Sequence, residues 1–176
     1  MASDTTIHLS NAVVALGGFP ALAGVTFGVG RGELVALRGA NGTGKSTLLR
    51  LCAGLVPLTR GAAVVAGVDL FVNRVAVRPH VGLLGHRNGL YGDLTAKQNV
   101  QFVADLVGAS ASDVTSALRR LGIDQRVATT RASLLSAGQR RRTALAALVV
   151  RRAQLWLLDE PHAGLDAAAR HELDAI

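Results

Sequence analysis

From residue 5 to residue 30 the chain carries no Asp, Glu, Lys or Arg, an uncharged run long enough to cross a bilayer. Five glycines within it (Gly17, Gly18, Gly24, Gly28 and Gly30), Pro20 and several Ser and Thr residues make a poor spanning helix. Val13-Val14 and Val25-Thr26-Phe27 favour short strands, so the run predicts sheet. The next apolar run, Gly32-Glu33-Leu34-Val35-Ala36-Leu37-Arg38, is short and bounded by glycine, and predicts a buried strand. A glycine loop follows, then a helix from Lys45 to Ala53 closed by Gly54 and Pro57. Residues 61 to 72 alternate weakly around Val64-Val65 and Leu70-Phe71 and predict a hairpin, while Val81-Gly82-Leu83-Leu84 and Leu155-Trp156-Leu157-Leu158 predict two more buried strands. Between those two strands the pattern is helical. Thr95 with Gln98 forms a capping box opening a helix to about Val107, Val114, Ala117, Leu118 and Leu121 stripe a second before Gly122, and Ser136 with Gln139 repeats the cap ahead of Thr143 to Val150. The prediction is one domain, residues 1–176, with a helical subdomain at about 87–150 inside it.

Composition narrows the classes. With 176 residues, 49% of them hydrophobic and 18% charged, the chain has the profile of a globular domain and is too apolar for disorder. The formal net charge is +7, but Lys45 and Lys97 are the only lysines, so the excess is arginine. Arginine with abundant Ala and Gly reads as the usage of a GC-rich genome, and the 3% aromatic content argues against a stacking platform for single-stranded nucleic acid. Asp4 ahead of the uncharged run, with no cleavage pattern after it, argues against a secretory signal. The single cysteine, Cys52, excludes an internal disulfide and points to a reducing compartment, and no Cys/His spacing resembles a metal site. Cys52 and Trp156 read as core, and Arg140, Arg141, Arg142, Arg151 and Arg152 as a solvated face around the last helix, with service to a phosphate or a partner as the functional alternative.

Two motifs carry the chemistry. Gly39-Ala40-Asn41-Gly42-Thr43-Gly44-Lys45-Ser46-Thr47 fits G-x-x-x-x-G-K-[ST], the phosphate loop. Glycines let backbone N–H groups turn inward around phosphate oxygens, Lys45 neutralises their charge, the Ser46 hydroxyl suits Mg²⁺, and the following helix adds its positive end. Leu155-Trp156-Leu157-Leu158-Asp159-Glu160 is an apolar strand ending in two acids, Asp159 for Mg²⁺ and Glu160 to polarise the water that attacks the γ-phosphate.

Leu135-Ser136-Ala137-Gly138-Gln139 then resembles the LSGGQ signature of the ATP-binding-cassette (ABC) ATPases, with Ala137 for one glycine, and Pro161-His162-Ala163-Gly164-Leu165-Asp166 resembles that family's D-loop, with Asp166 at the acidic position. The resemblance runs from about residue 7 to 170. It implies an α/β P-loop NTPase of ABC type, with a mainly parallel core sheet, an N-terminal antiparallel β subdomain and a helical insert. It also implies a homodimer in which the signature of one subunit caps ATP held by the phosphate loop of the other, and transmembrane permease subunits as partners. The chain would be peripheral on the cytoplasmic face of the membrane. Catalytic roles fall to Lys45, Glu160 and His86, the last standing where the family usually has a glutamine that senses Mg²⁺ and the membrane partner. Leu16 stands where the family places an adenine-stacking aromatic, with Phe19 as a substitute.

Gly85-His86-Arg87-Asn88-Gly89-Leu90-Tyr91-Gly92-Asp93-Leu94-Thr95 further resembles the ATP-binding subunits assigned to haem export and cytochrome c maturation. No haem-ligand motif is present, so no direct haem binding is expected, and no nucleic-acid partner. The alternatives are another exporter's subunit, for a drug or a lipid, or a soluble ABC ATPase acting on nucleic acid. The soluble proteins usually carry coiled-coil insertions or two cassettes, and a non-catalytic cassette fits poorly with intact Lys45, Asp159 and Glu160. The family's switch histidine lies on a strand beyond the D-loop. His162 and His171 both precede that place, so the resemblance implies a cassette lacking its C-terminal part that binds nucleotide and hydrolyses it poorly.

Overall fold

The computed structural model describes residues 5–162. The described residues divide into two compact units, one comprising residues 5–83 together with Gln154–Leu157, the other Leu84–Ala153 together with residues 158–162. In the first unit the uncharged run is sheet: β1 (Thr5–Leu16) and β2 (Phe19–Gly30) form a long antiparallel hairpin. Gly17 and Gly18 join them with φ of 57° and 84°. A two-residue turn whose twist matches the strands needs both residues left-handed, which two glycines accept without strain. Leu16 and Phe19 therefore face each other as the last pair of the ladder. Ile7 and Leu9 are buried on β1, and then Ala12 and Val14. The alternation changes parity across a register shift at Asn11, whose φ is 47°, because a bulge inserts one extra residue and returns the strand to the core face.

β3 (Arg60–Val65) pairs antiparallel with β1, and β4 (Val68–Asp69) with β3, giving the order β2-β1-β3-β4. The hairpin predicted over 61–72 is shorter than expected. The Asp69 carboxylate accepts hydrogen bonds from the Phe71 and Val72 N–H groups and caps a helical turn, α2 (Leu70–Asn73), so Leu70-Phe71 leaves the strand. α1 (Lys45–Cys52) buries Leu48, Leu51 and Cys52 against this sheet's core residues. A 3-10 stretch over 74–80 leads to β5 (Val81–Leu84), which pairs in a separate two-stranded parallel sheet with β6 (Leu155–Leu158).

Two expectations fail here. Gly32–Arg38 forms no strand among the described residues, and its apolar side chains are exposed, Leu34 at 99%. An apolar run records a tendency to be buried, whereas a strand also needs a hydrogen-bonding neighbour, and none is in place. Trp156, expected in the core, is half-buried, because successive strand side chains alternate and it points to the face opposite the buried Leu157.

The second unit is helical: α3 (Ala96–Val107), α4 (Ala111–Arg120), the short α5 (Gln125–Ala128) and α6 (Ala137–Arg151). Capping boxes open three of them, at Thr95–Gln98, Ser110–Asp113 and Ser136–Gln139. The first and third are those predicted from the S/T-x-x-Q spacing. α6 packs on α3 and α4, and Val100, Ala104, Val114, Ala117, Leu118, Leu145 and Leu148 are buried. No helix among the described residues is long and apolar enough to cross a membrane.

Candidate functional site

In the first unit the phosphate-loop sequence forms an exposed turn running into α1. Thr43 closes it through its N–H and its hydroxyl, both donating to Ala40 O. The Lys45 ammonium folds back into the loop and donates to Gly39 O and Ala40 O, each at 2.8 Å. Gly44 is the N-cap, with φ 91°, and a Cβ there would sit 2.6 Å from Ala21 O and 2.8 Å from Leu22 Cδ2. Only glycine lets the loop lie this close to β2. Ser46 and Thr47, half-buried in the first turn of α1, follow directly. The loop thus rests beside the start of β2, at Ala21 and Leu22, two and three residues after the exposed Phe19 that pairs with Leu16. Gly39, Ala40, Asn41 and Gly42 are exposed, and the first-turn N–H groups of α1 point out of the helix end, an arrangement that suits an anion.

In the second unit the signature residues open α6. Leu135 is buried, and Ser136 is the N-cap: its hydroxyl accepts from Gln139 N–H while Gln139 Oε1 accepts from Ser136 N–H. Ser136 and Ala137 are exposed, with Gly138 and Gln139 half-buried. The small residues at the start of this helix leave its first turn accessible to an anionic group. The acids follow β6. Asp159 N–H continues the strand pairing by donating to Leu84 O at 2.8 Å, and Glu160 turns away with φ 49°. Its carboxylate lies 4.0 Å from His86 Nδ1, and both side chains are well exposed. Asp166 lies outside the described residues.

Two residues whose structural part the sequence pattern did not reveal organise this unit. Arg141, expected on a solvated face, is only 3% exposed. Its guanidinium donates to Gly85 O (2.8 Å), Asn88 Oδ1 (3.2 Å), Asp159 O (2.6 Å), Glu160 O (2.8 Å) and Pro161 O (3.4 Å). Burial lowers its pKa, and the negative charges of Asp159 and Glu160 oppose that shift. Its helical spacing to Leu145 and Leu148 is the signal that places it on the buried stripe. Asn99, also 3% exposed, accepts from Tyr91 N–H and donates to Tyr91 O and Thr95 O, fixing the loop between β5 and α3. That loop is laced to the segment before the signature by Ala96 N–H to Thr130 O, Ala132 N–H to Leu94 O and Ser133 N–H to Gly92 O.

The family model described as ABC transporter matches residues 22–163, more than half of the chain. This chain belongs to the ABC transporter family. The match spans the phosphate loop, the signature residues and the two acids after β6, so the cassette is a nucleotide-binding ATPase domain of that family. A similar relative, the cytochrome c biogenesis ATP-binding export protein CcmA of Alkalilimnicola ehrlichii, is 42% identical over 187 residues, covering 98% of this chain and 78% of the relative. Among solved structures, a bacterial Atm1-family ABC exporter with ATP bound superposes with a TM-score of 0.87 at 26% identity, covering 99% of this chain and 32% of that one. The dimeric post-hydrolysis state of an ATP-binding cassette bound to ADP and Pi superposes with a TM-score of 0.85 at 24% identity, covering 95% and 79%, and supports the fold alone.

Proposed function

We propose that the cassette is the ATP-hydrolysing subunit of an export transporter serving cytochrome c assembly. The observation that carries the ATPase part is the Lys45 ammonium folded onto Gly39 O and Ala40 O of the glycine loop at the N-terminus of α1, which puts a cation beside the positive end of a helix. In this reading residues 39–47 take the ATP phosphates. Glu160, exposed at the end of β6, orients and deprotonates the attacking water, and the nearby His86 holds that carboxylate in reach of it. Ser46 and Asp159 offer a hydroxyl and a carboxylate, hard oxygen donors that suit Mg²⁺, which when bound would neutralise charge on the phosphates. Phe19, paired with Leu16 beside the loop, offers the adenine a ring. The export role is supported by the name of the 42%-identical relative and by the Gly85–Thr95 segment.

The exposed first turn of α6 supports a homodimer in which Leu135–Gln139 of each subunit meets the nucleotide on its partner, with Asp166 contributing at the same contact. Permease subunits complete the assembly, the cassette lying peripherally on the cytoplasmic membrane face. Glu160→Gln tests the reading: ATP turnover should fall at least about a hundredfold while ATP binding is kept and dimers accumulate. Unchanged turnover would remove Glu160 from its role.

A further inference from the structure

We propose that Arg141 is a positioning residue, whose guanidinium locks the signature helix to both the segment after β5 and the acidic turn after β6, and so sets where Glu160 and His86 stand. The inference rests on the ATPase reading above and adds a residue to it.

A guanidinium has five N–H donors in a fixed fork, and Arg141 uses all five: Nη1 on Gly85 O and Asn88 Oδ1, Nη2 on Asp159 O and Glu160 O, and Nε on Pro161 O. No carboxylate oxygen is among these acceptors, so the buried cation is satisfied by carbonyl and amide dipoles. Three of the acceptors are successive backbone carbonyls. Along a strand successive carbonyls point to opposite sides, and they can converge on one cation only where the backbone turns over. Glu160 supplies that turn with its left-handed φ of 49°, a conformation a side-chain-bearing residue holds only when its surroundings impose it. The same turn swings the Glu160 side chain outward, to 4.0 Å from His86 Nδ1.

On the other side, the bond to Gly85 O grips the residue immediately before His86, and the bond to Asn88 Oδ1 grips the segment just beyond it. Arg141 itself lies five residues after Ser136, one and a half turns into α6. One planar group thus links the beginning of the signature helix, the His86 segment and the Glu160 turn. Any shift of α6 carries the two reacting-side segments with it. A lysine at this position has three donors on a compact ammonium and cannot span acceptors on both segments, so charge alone does not replace the fork.

The experiment compares the full chain with Arg141→Lys and Arg141→Gln by hydrogen exchange without nucleotide and by ATPase kinetics. In both variants the hydrogen-bonded amides of these segments, Tyr91 N–H on Asn99 Oδ1 and Asp159 N–H on Leu84 O, should exchange at least about tenfold faster, with those of 143–150 within about twofold of the parent. The kcat should fall about tenfold or more while KM stays within about twofold, since a misplaced base costs turnover and leaves binding by the Lys45 loop alone. A lysine variant with parental exchange and kcat would overturn the proposal. Exchange accelerated along the whole of α6, or KM and kcat failing together, would overturn it equally by making Arg141 a general core residue. If the parent chain neither binds nor hydrolyses ATP, the ATPase reading is what fails, and the exchange comparison still decides whether Arg141 locks the two segments.

Discussion

Phe19 is 78% exposed and sits across the two-glycine turn from Leu16, on the strand whose Ala21 and Leu22 touch Gly44 of the phosphate loop. An exposed ring beside the proposed ATP site adds little to folding and much to a purine that stacks on it. Base–aromatic stacking is worth about 1–3 kcal/mol, so Phe19→Ala should weaken ATP binding roughly 5- to 150-fold, and Phe19→Trp should restore it. Stability should stay within about 0.5 kcal/mol, since the side chain is at the surface. Fluorescent-nucleotide titration and chemical denaturation read the two quantities, and equal affinity in the alanine variant would assign the adenine to other contacts. Cys52 shows the opposite case: it is buried at 1% exposure, desolvation pushes its thiol up to about 12, and it serves packing. Its role was readable from its apolar neighbours. That of Arg141 was not, because an arginine in a run of three reads as surface until its acceptors, drawn from residues 85–88 and 159–161, are brought around it.

Among the elements, the helices of the second unit follow their local signals closely. Thr95 and Ser136 cap α3 and α6 where the sequence placed them, since a cap is a contact between residues three apart and needs nothing distant. The cap of α4 is electrostatic as well. The Ser110 N–H, then its hydroxyl, and then Arg152 hold the Asp113 carboxyl below its ordinary value of 3.8. A folded pKa below the unfolded one means that the stabilisation is complete above the ordinary carboxylate range and is lost as pH falls through the lowered value. Asp113→Asn should therefore be less stable than the parent at pH 7, with the difference closing progressively below about pH 4. Urea denaturation along a pH series measures it, and a gap that persists unchanged into acid would show that Asp113 acts without its charge. Strands obey a different rule. Residues 33–38 have the apolar pattern of a strand and are exposed, whereas the weakly patterned run of residues 5–30 forms two 12-residue strands because a two-glycine turn brings one half onto the other.

For the whole molecule, the +7 charge first invites a nucleic-acid reading. Part of that charge is now accounted for internally: Arg141 is buried on carbonyl groups and Arg152 pairs with Asp113 at 2.7 Å. On the proposed role, the protein sediments with membranes only when its permease partner is coexpressed, and shows no stable binding to DNA or RNA at physiological salt. Nucleic-acid binding that persists at physiological salt with no membrane association would favour a soluble ABC ATPase instead. What contiguous segments form was legible along the chain: the glycine turn running into α1, the capped helices, the strand that ends in two acids and the family these motifs identify all depend on residues a few positions apart. Which apolar runs find strand partners, that Trp156 is only half-buried, and that Arg141 gathers two distant segments depend on pairings across tens of residues. A hydrophobic pattern states only that a side chain favours burial, and the partner that satisfies it, or a buried cation, is chosen when the chain folds back on itself.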